Sequence, residues 1–128
     1  NKTIAIFGFS FKANTNDTRE SPTINISNDL LTEGAKLNFY DPKVSERRIL
    51  MEFDIKYKEN ILVSDSASKA CIGADAIVVL TDWDEFKTLD WSLIFKGMRK
   101  PSWIFDSRIC LDKESLKNIG FKVWTVGN

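Results

Sequence analysis

One short run constrains this chain more than any other stretch: Asp75-Ala76-Ile77-Val78-Val79-Leu80. After its first residue it is wholly apolar, and β-branched side chains dominate it. An apolar run without alternation is how a strand buried on both faces reads, and such strands belong to parallel sheets. A parallel pair needs a long crossover, usually a helix, between its strands. The rest of the chain supplies those crossovers. Strand patterns at residues 3–7, 36–40, 60–63, 75–80, 103–105 and 121–126 alternate with helical patterns at 21–33, 45–51, 67–72, 86–98 and 113–118. Ser21-Pro22 reads as a helix start, with Ser as the cap and Pro at the first helical position. Gly34 reads as the left-handed stop of that helix. The expected fold class is α/β: a three-layer, Rossmann-like domain whose six-stranded, mostly parallel sheet carries helices on both faces.

The 128 residues suit a single domain. The chain enters its first strand pattern almost at once and has no initiator Met, which predicts a domain of a longer protein. Lys plus Arg number 18 and Asp plus Glu number 18, so the formal net charge is zero. That balance argues against a nucleic-acid binder driven by bulk phosphate attraction. It leaves room for a focused basic cluster around a small anion. No apolar run reaches membrane-spanning length, and the opening residues lack a signal-peptide pattern. Histidine is absent, which excludes Ser-His-Asp triads, Cys-His dyads and nearly every His-containing metal site. Cys71 and Cys110 lie far apart and outside any CxxC. They are expected to be two reduced, buried thiols of a cytoplasmic protein, with no zinc site and no disulfide framework.

In an open parallel sheet, ligands bind beyond the carboxyl ends of the strands, where the strand order reverses. The segments that follow the strands are therefore the ones to read. They are residues 8–20, then Thr81-Asp82-Trp83-Asp84, then Asp106-Ser107-Arg108. The densest polar and aromatic chemistry of the chain falls on this one edge. A dinucleotide fold wants Gly-x-Gly-x-x-Gly after the first strand, so that bare backbone can approach a pyrophosphate. This chain keeps only Gly8 there and places Phe9, Phe11 and Lys12 in the way. The expectation is that the domain does not hold NAD in the usual manner. Lys12 offers a point charge and Arg19 a planar fork, both suited to phosphate or carboxylate.

Plainer readings stand beside these. Lys12 and Arg19 also fit solvated loop charges, Arg19 paired with Asp17 or Glu20. Phe9 and Phe11 alternate, which fits one ring packing inward and the other covering a ligand, with core packing of both the more common outcome. Trp83 is expected to cap the core rather than stack on a base. Arg108 fits a pairing with Asp106 as well as a ligand contact. Asp41-Pro42 reads as a plain turn before it reads as a ribose-binding acid.

The residues 8–22, Gly-Phe-Ser-Phe-Lys-Ala-Asn-Thr-Asn-Asp-Thr-Arg-Glu-Ser-Pro, resemble the Gly-x-x-Phe-Lys-x-x-Thr-x-Asp-x-Arg-Glu-Ser segment of UDP-glucose 6-dehydrogenases. Three further blocks match in the same order: residues 40–44 (Tyr-Asp-Pro-Lys-Val), 81–86 (Thr-Asp-Trp-Asp-Glu-Phe) and 104–108 (Ile-Phe-Asp-Ser-Arg). The likeness covers essentially the whole chain and is similar to the family's C-terminal, UDP-binding domain. Relatives acting on GDP-mannose and on UDP-N-acetylmannosamine share much of the pattern. The resemblance implies that residues 1–128 are the UDP-sugar-binding part of a longer NAD-dependent dehydrogenase that turns UDP-glucose into UDP-glucuronate. It implies that an N-terminal NAD-binding domain and a central helix lie outside this chain, with the catalytic Cys and Lys, so that no residue here is catalytic and the chain alone is inactive. It also implies a homo-oligomeric whole protein. By position, Phe11, Lys12 and Arg108 match the residues that contact the UDP-sugar. Arg19 matches the arginine that reaches across to NAD. Ser107 departs from the family, which often has Gly there. A stand-alone nucleotide-sugar-binding or regulatory module is the competing reading, because the chain holds no complete catalytic set. A phospho-receiver would need an acidic cluster after the first strand, and Gly8-Phe9-Ser10 is not one.

Overall fold

The computed structural model describes residues 2–9 and 22–126. They form one six-stranded sheet in the order β3-β2-β1-β4-β5-β6. The strands are β1 (Thr3–Phe7), β2 (Lys36–Tyr40), β3 (Ile61–Val63), β4 (Ala76–Val79), β5 (Trp103–Asp106) and β6 (Lys122–Thr125). Every adjacent pair is parallel, so all six carboxyl ends share one edge. This is the doubly wound order, with its reversal between β1 and β4. The expected "mostly parallel" sheet is wholly parallel.

The helices are α1 (Pro22–Thr32), α2 (Glu46–Leu50), α3 (Ala67–Cys71), α4 (Trp91–Gly97) and α5 (Lys113–Ile119). Each of the last four starts on a short polar side chain that accepts an N–H of the first turn: Ser45, Ser66, Asp90 and Asp112. α1 stops where expected, at Gly34 with φ +92°. Two 3₁₀ turns, Ile55–Asn60 and Asp84–Thr88, have no counterpart in the sequence reading. The second corrects the single helix expected at 86–98. There the 3₁₀ turn ends before Leu89 and Asp90, and Asp90 starts a fresh helix by accepting the Leu93 N–H at 3.1 Å.

Two cores lie on the two faces. Leu31, Leu37, Phe39, Ile49 and Ile61 pack with Ile6 and Phe9 on one. Phe7, Ile77, Phe86, Trp91, Ile104 and Phe121 pack on the other. The stacked pair Trp103 and Phe105, with Trp124 beside them, alternates away from this second core. Trp103 and Trp124 remain 36% and 44% exposed, so β5 and β6 are covered less on that face than the three-layer expectation implies.

Candidate functional site

Gly8 follows β1 directly and has φ +99°. A Cβ there would lie 2.4 Å from the Thr81 Cβ, so only glycine lets the β1 and β4 loops meet. Thr81 is fully buried against it. The Gly8 N–H donates to the Tyr40 carbonyl at 2.8 Å, and the Phe9 N–H donates to Asp41 Oδ2 at 2.7 Å. Phe9 packs inward, edge-on to Phe39 and Phe53. The first turn of a dinucleotide fold cradles pyrophosphate with free backbone N–H groups. Here the described N–H groups, those of Gly8 and Phe9, already have partners, and residues 10–21 of the turn lie outside the described residues.

Asp41 is more than the plain turn expected of it. Its Oδ1 accepts the Lys43 and Val44 N–H groups at 2.8 and 3.1 Å, which is the turn itself. Its Oδ2 accepts the Phe9 N–H and the Trp83 Nε1–H, the latter at 3.3 Å. One buried carboxylate thus ties the loops after β1, β2 and β4. Trp83 is buried as expected, with its indole N–H satisfied by Asp41. Next to it, the Tyr40 hydroxyl donates to both Glu85 oxygens, at 2.8 and 2.6 Å. Burial raises the Tyr40 phenol well above its ordinary value, and the Glu85 carboxylate adds to the rise.

The loop after β5 is organised by Asp106, which is fully buried. Its Oδ1 accepts the Arg108 N–H at 3.1 Å and lies 3.7 Å from the Cys110 thiol, while Oδ2 accepts the Leu111 N–H at 2.9 Å. Ser107 fastens the same loop to β4: its N–H and Oγ both donate to the Val79 carbonyl, at 3.2 and 2.6 Å. The Ser107 hydroxyl therefore holds the loop against β4. Ile109 sits at φ +54°, a conformation that costs a β-branched residue on the order of 1–3 kcal/mol. The bonds around it hold that strain in place. Arg108 meets Asp106 only through its backbone. Its guanidinium instead faces Asp82 on the β4 loop, Nη2 to Oδ1 at 3.8 Å, with both side chains about two-fifths exposed.

Arg108 is thus placed on the carboxyl edge, one strand from the reversal. Phe11, Lys12 and Arg19 lie outside the described residues. Both cysteines are free. Cys71 is buried as expected, but Cys110 is only half-buried, because its loop turns outward at Ile109. Burial pushes the Cys71 thiol up to about 12, and burial followed by the Asp106 charge does the same for Cys110. Among the described residues, no cluster of three or more His, Cys, Asp or Glu is arranged to hold a metal. No described helix is long and apolar enough to cross a membrane. Sequence reasoning put Asp82 and Asp106 on this edge but missed the contact of Asp82 with Arg108 and the reach of Asp41. Only the position of each after a strand end hinted at a role.

Residues 5–113 match the UDP-glucose/GDP-mannose dehydrogenase family, UDP binding domain. The UDP-glucose 6-dehydrogenases of Gallus gallus and Caenorhabditis elegans are each 45% identical to the chain over 98% of its length and 27% of theirs. The chain therefore spans about a quarter of these curated relatives. Among solved structures, the UDP-D-ManNAc dehydrogenase from Pyrococcus horikoshii superposes with a TM-score of 0.77 at 31% identity, over 98% of this chain and 25% of that one. The NDP-N-acetyl-D-galactosaminuronic acid dehydrogenase from Methanosarcina mazei Go1 shares the fold with a TM-score of 0.82 at 23% identity, over 99% of this chain and 25% of that one.

Proposed function

The chain belongs to the UDP-glucose/GDP-mannose dehydrogenase family, and from that premise we propose that it is the UDP-sugar-binding, C-terminal part of an NAD-dependent UDP-glucose 6-dehydrogenase. The whole protein oxidises the C6 alcohol of UDP-glucose to the carboxylate of UDP-glucuronate in the cytoplasm. The observation that carries this reading is the family match across residues 5–113, which includes the loop that presents Arg108.

Within this chain the work is binding. UDP brings two phosphates to a domain of zero net charge, so recognition needs a few well-placed cations rather than a basic surface. Arg108 offers its fork to the diphosphate from the β5 loop. Lys12 and Phe11 complete the contact with the UDP-sugar, and Arg19 reaches NAD. NAD itself is held mainly by an N-terminal domain outside this chain, a reading supported by a first turn that keeps only Gly8 of the Gly-x-Gly-x-x-Gly pattern. The catalytic Cys and Lys also lie outside. Thiols raised to about 12 stay protonated at neutral pH, so neither Cys71 nor Cys110 is a ready nucleophile. The chain alone is inactive, and the whole protein is a homo-oligomer.

Calorimetric titration of the chain with UDP-glucose, UDP, GDP-mannose and NAD tests this. UDP and UDP-glucose should bind, and Arg108→Ala or Lys12→Ala should each remove a charge-assisted contact of roughly 1.5–3 kcal/mol. That corresponds to about a 10- to 150-fold loss of affinity. Preference for GDP-mannose would move the chain to another branch of the family. NAD binding tighter than UDP would contradict the reading of the first turn.

A further inference from the structure

We propose that Asp82 is a positioning residue for nucleotide binding, holding the Arg108 guanidinium by one edge so that its other donors face the ligand. The inference rests on the reading of Arg108 as a UDP contact and adds the residue that aims it. The backbone at Arg108 is already set, by the two Ser107 bonds to the Val79 carbonyl, by the Asp106 carboxylate and by the left-handed turn at Ile109. None of these reaches past the Arg108 Cβ. A long side chain with free rotamers would leave its head unplaced. The ionic contact to that head comes from Asp82, at 3.8 Å from Nη2.

Asp82 is itself well placed to serve as a fixed reference. Thr81 before it is fully buried against Gly8, and Trp83 after it is buried and bonded to Asp41. Both neighbours are locked, so the half-exposed carboxylate between them stands at a defined point. It engages one nitrogen of a group that carries five N–H donors, and the remaining edge stays available. Half-exposed single-contact pairs add little to folding stability. A purely structural role therefore explains the pair poorly, whereas orienting a phosphate-binding fork explains its place on this edge.

The test is UDP titration of the chain as wild type, Asp82→Asn, Asp82→Glu, Arg108→Ala and the Asp82→Asn/Arg108→Ala double variant, with thermal unfolding of each. Asp82→Asn should lower UDP affinity about 3- to 10-fold, as for coupled neighbours, with its unfolding midpoint unchanged. Asp82→Glu should recover part of the loss. In the Arg108→Ala background Asp82→Asn should have no further effect. Unchanged or tighter UDP binding by Asp82→Asn overturns the proposal while leaving Arg108 as a UDP contact. An equal loss in both backgrounds overturns it too, since the effect would then bypass Arg108. A wild type that binds no UDP overturns the functional reading and this inference with it.

Discussion

Two buried aspartates organise the carboxyl edge of the sheet, one on each side of the reversal, and their reach differs. Asp41 on the β2 side gathers donors from three loops, with partners up to 42 residues away in sequence. Asp106 on the β5 side gathers donors from its own loop alone, none more than 5 residues away. The first joins three loops that lie far apart in sequence. The second shapes one short loop and the arginine it carries. A carboxylate with long-range partners should bear on global stability, and one with local partners should bear on the geometry of a single side chain. Stability and binding ought to separate along this line.

The largest effect is expected from Asp41→Ala. It strands three backbone N–H groups and the Trp83 indole N–H, so urea unfolding should show a loss of about 3–5 kcal/mol. The fraction still folded should keep most of its affinity for UDP. Asp106→Asn should cost less stability, about 1–3 kcal/mol, yet weaken UDP binding more, because the Arg108 N–H loses its charged acceptor. If both variants lost stability and binding in the same proportion, the division between the two sides would fail.

Smaller effects sharpen the contrast. Tyr40 lies on the β2 side and Cys110 on the β5 side, and both acids are held protonated above their ordinary values. Cys71 in the core behaves likewise. A raised acid binds its proton more tightly in the fold than in the unfolded chain. Its contribution is therefore complete below the unfolded value and fades as pH rises toward the folded one. For the thiols that window runs from about 9 to about 12. Urea unfolding at stepped pH should show stability declining across it, and Cys110→Ser should flatten part of the decline. The smallest effect is expected at Trp124→Gln. Its ring is 44% exposed and rests on Phe105 at the open face of β6, so the unfolding midpoint should hardly move.

Local chemistry is what the sequence made readable. β1 and β2 lie at the predicted residues, because Gly8 closes the apolar run of β1 and Gly34 and Asp41 bracket β2. The break at Leu89 and Asp90 was obscured by the amphipathic pattern that continues through it, though Asp90 is itself a start signal. Pairings between distant residues were not readable. Nothing in the spacing of Asp41 and Trp83, or of Asp82 and Arg108, brings them together until the sheet order is known. The Arg108–Asp106 pairing read from proximity was half right: the residues meet, but through the Arg108 backbone N–H.

The most direct measurement is backbone amide chemical-shift mapping of the chain titrated with UDP. Among the described residues, the largest perturbations should fall on 81–83 and 106–111, the loops that hold Asp82, Asp106 and Arg108. The amides of 41–46 and 61–65, on the Asp41 side, should move little. Perturbations concentrated on 41–46 and 61–65 instead would contradict the account, placing the nucleotide on the side assigned here to holding the fold together.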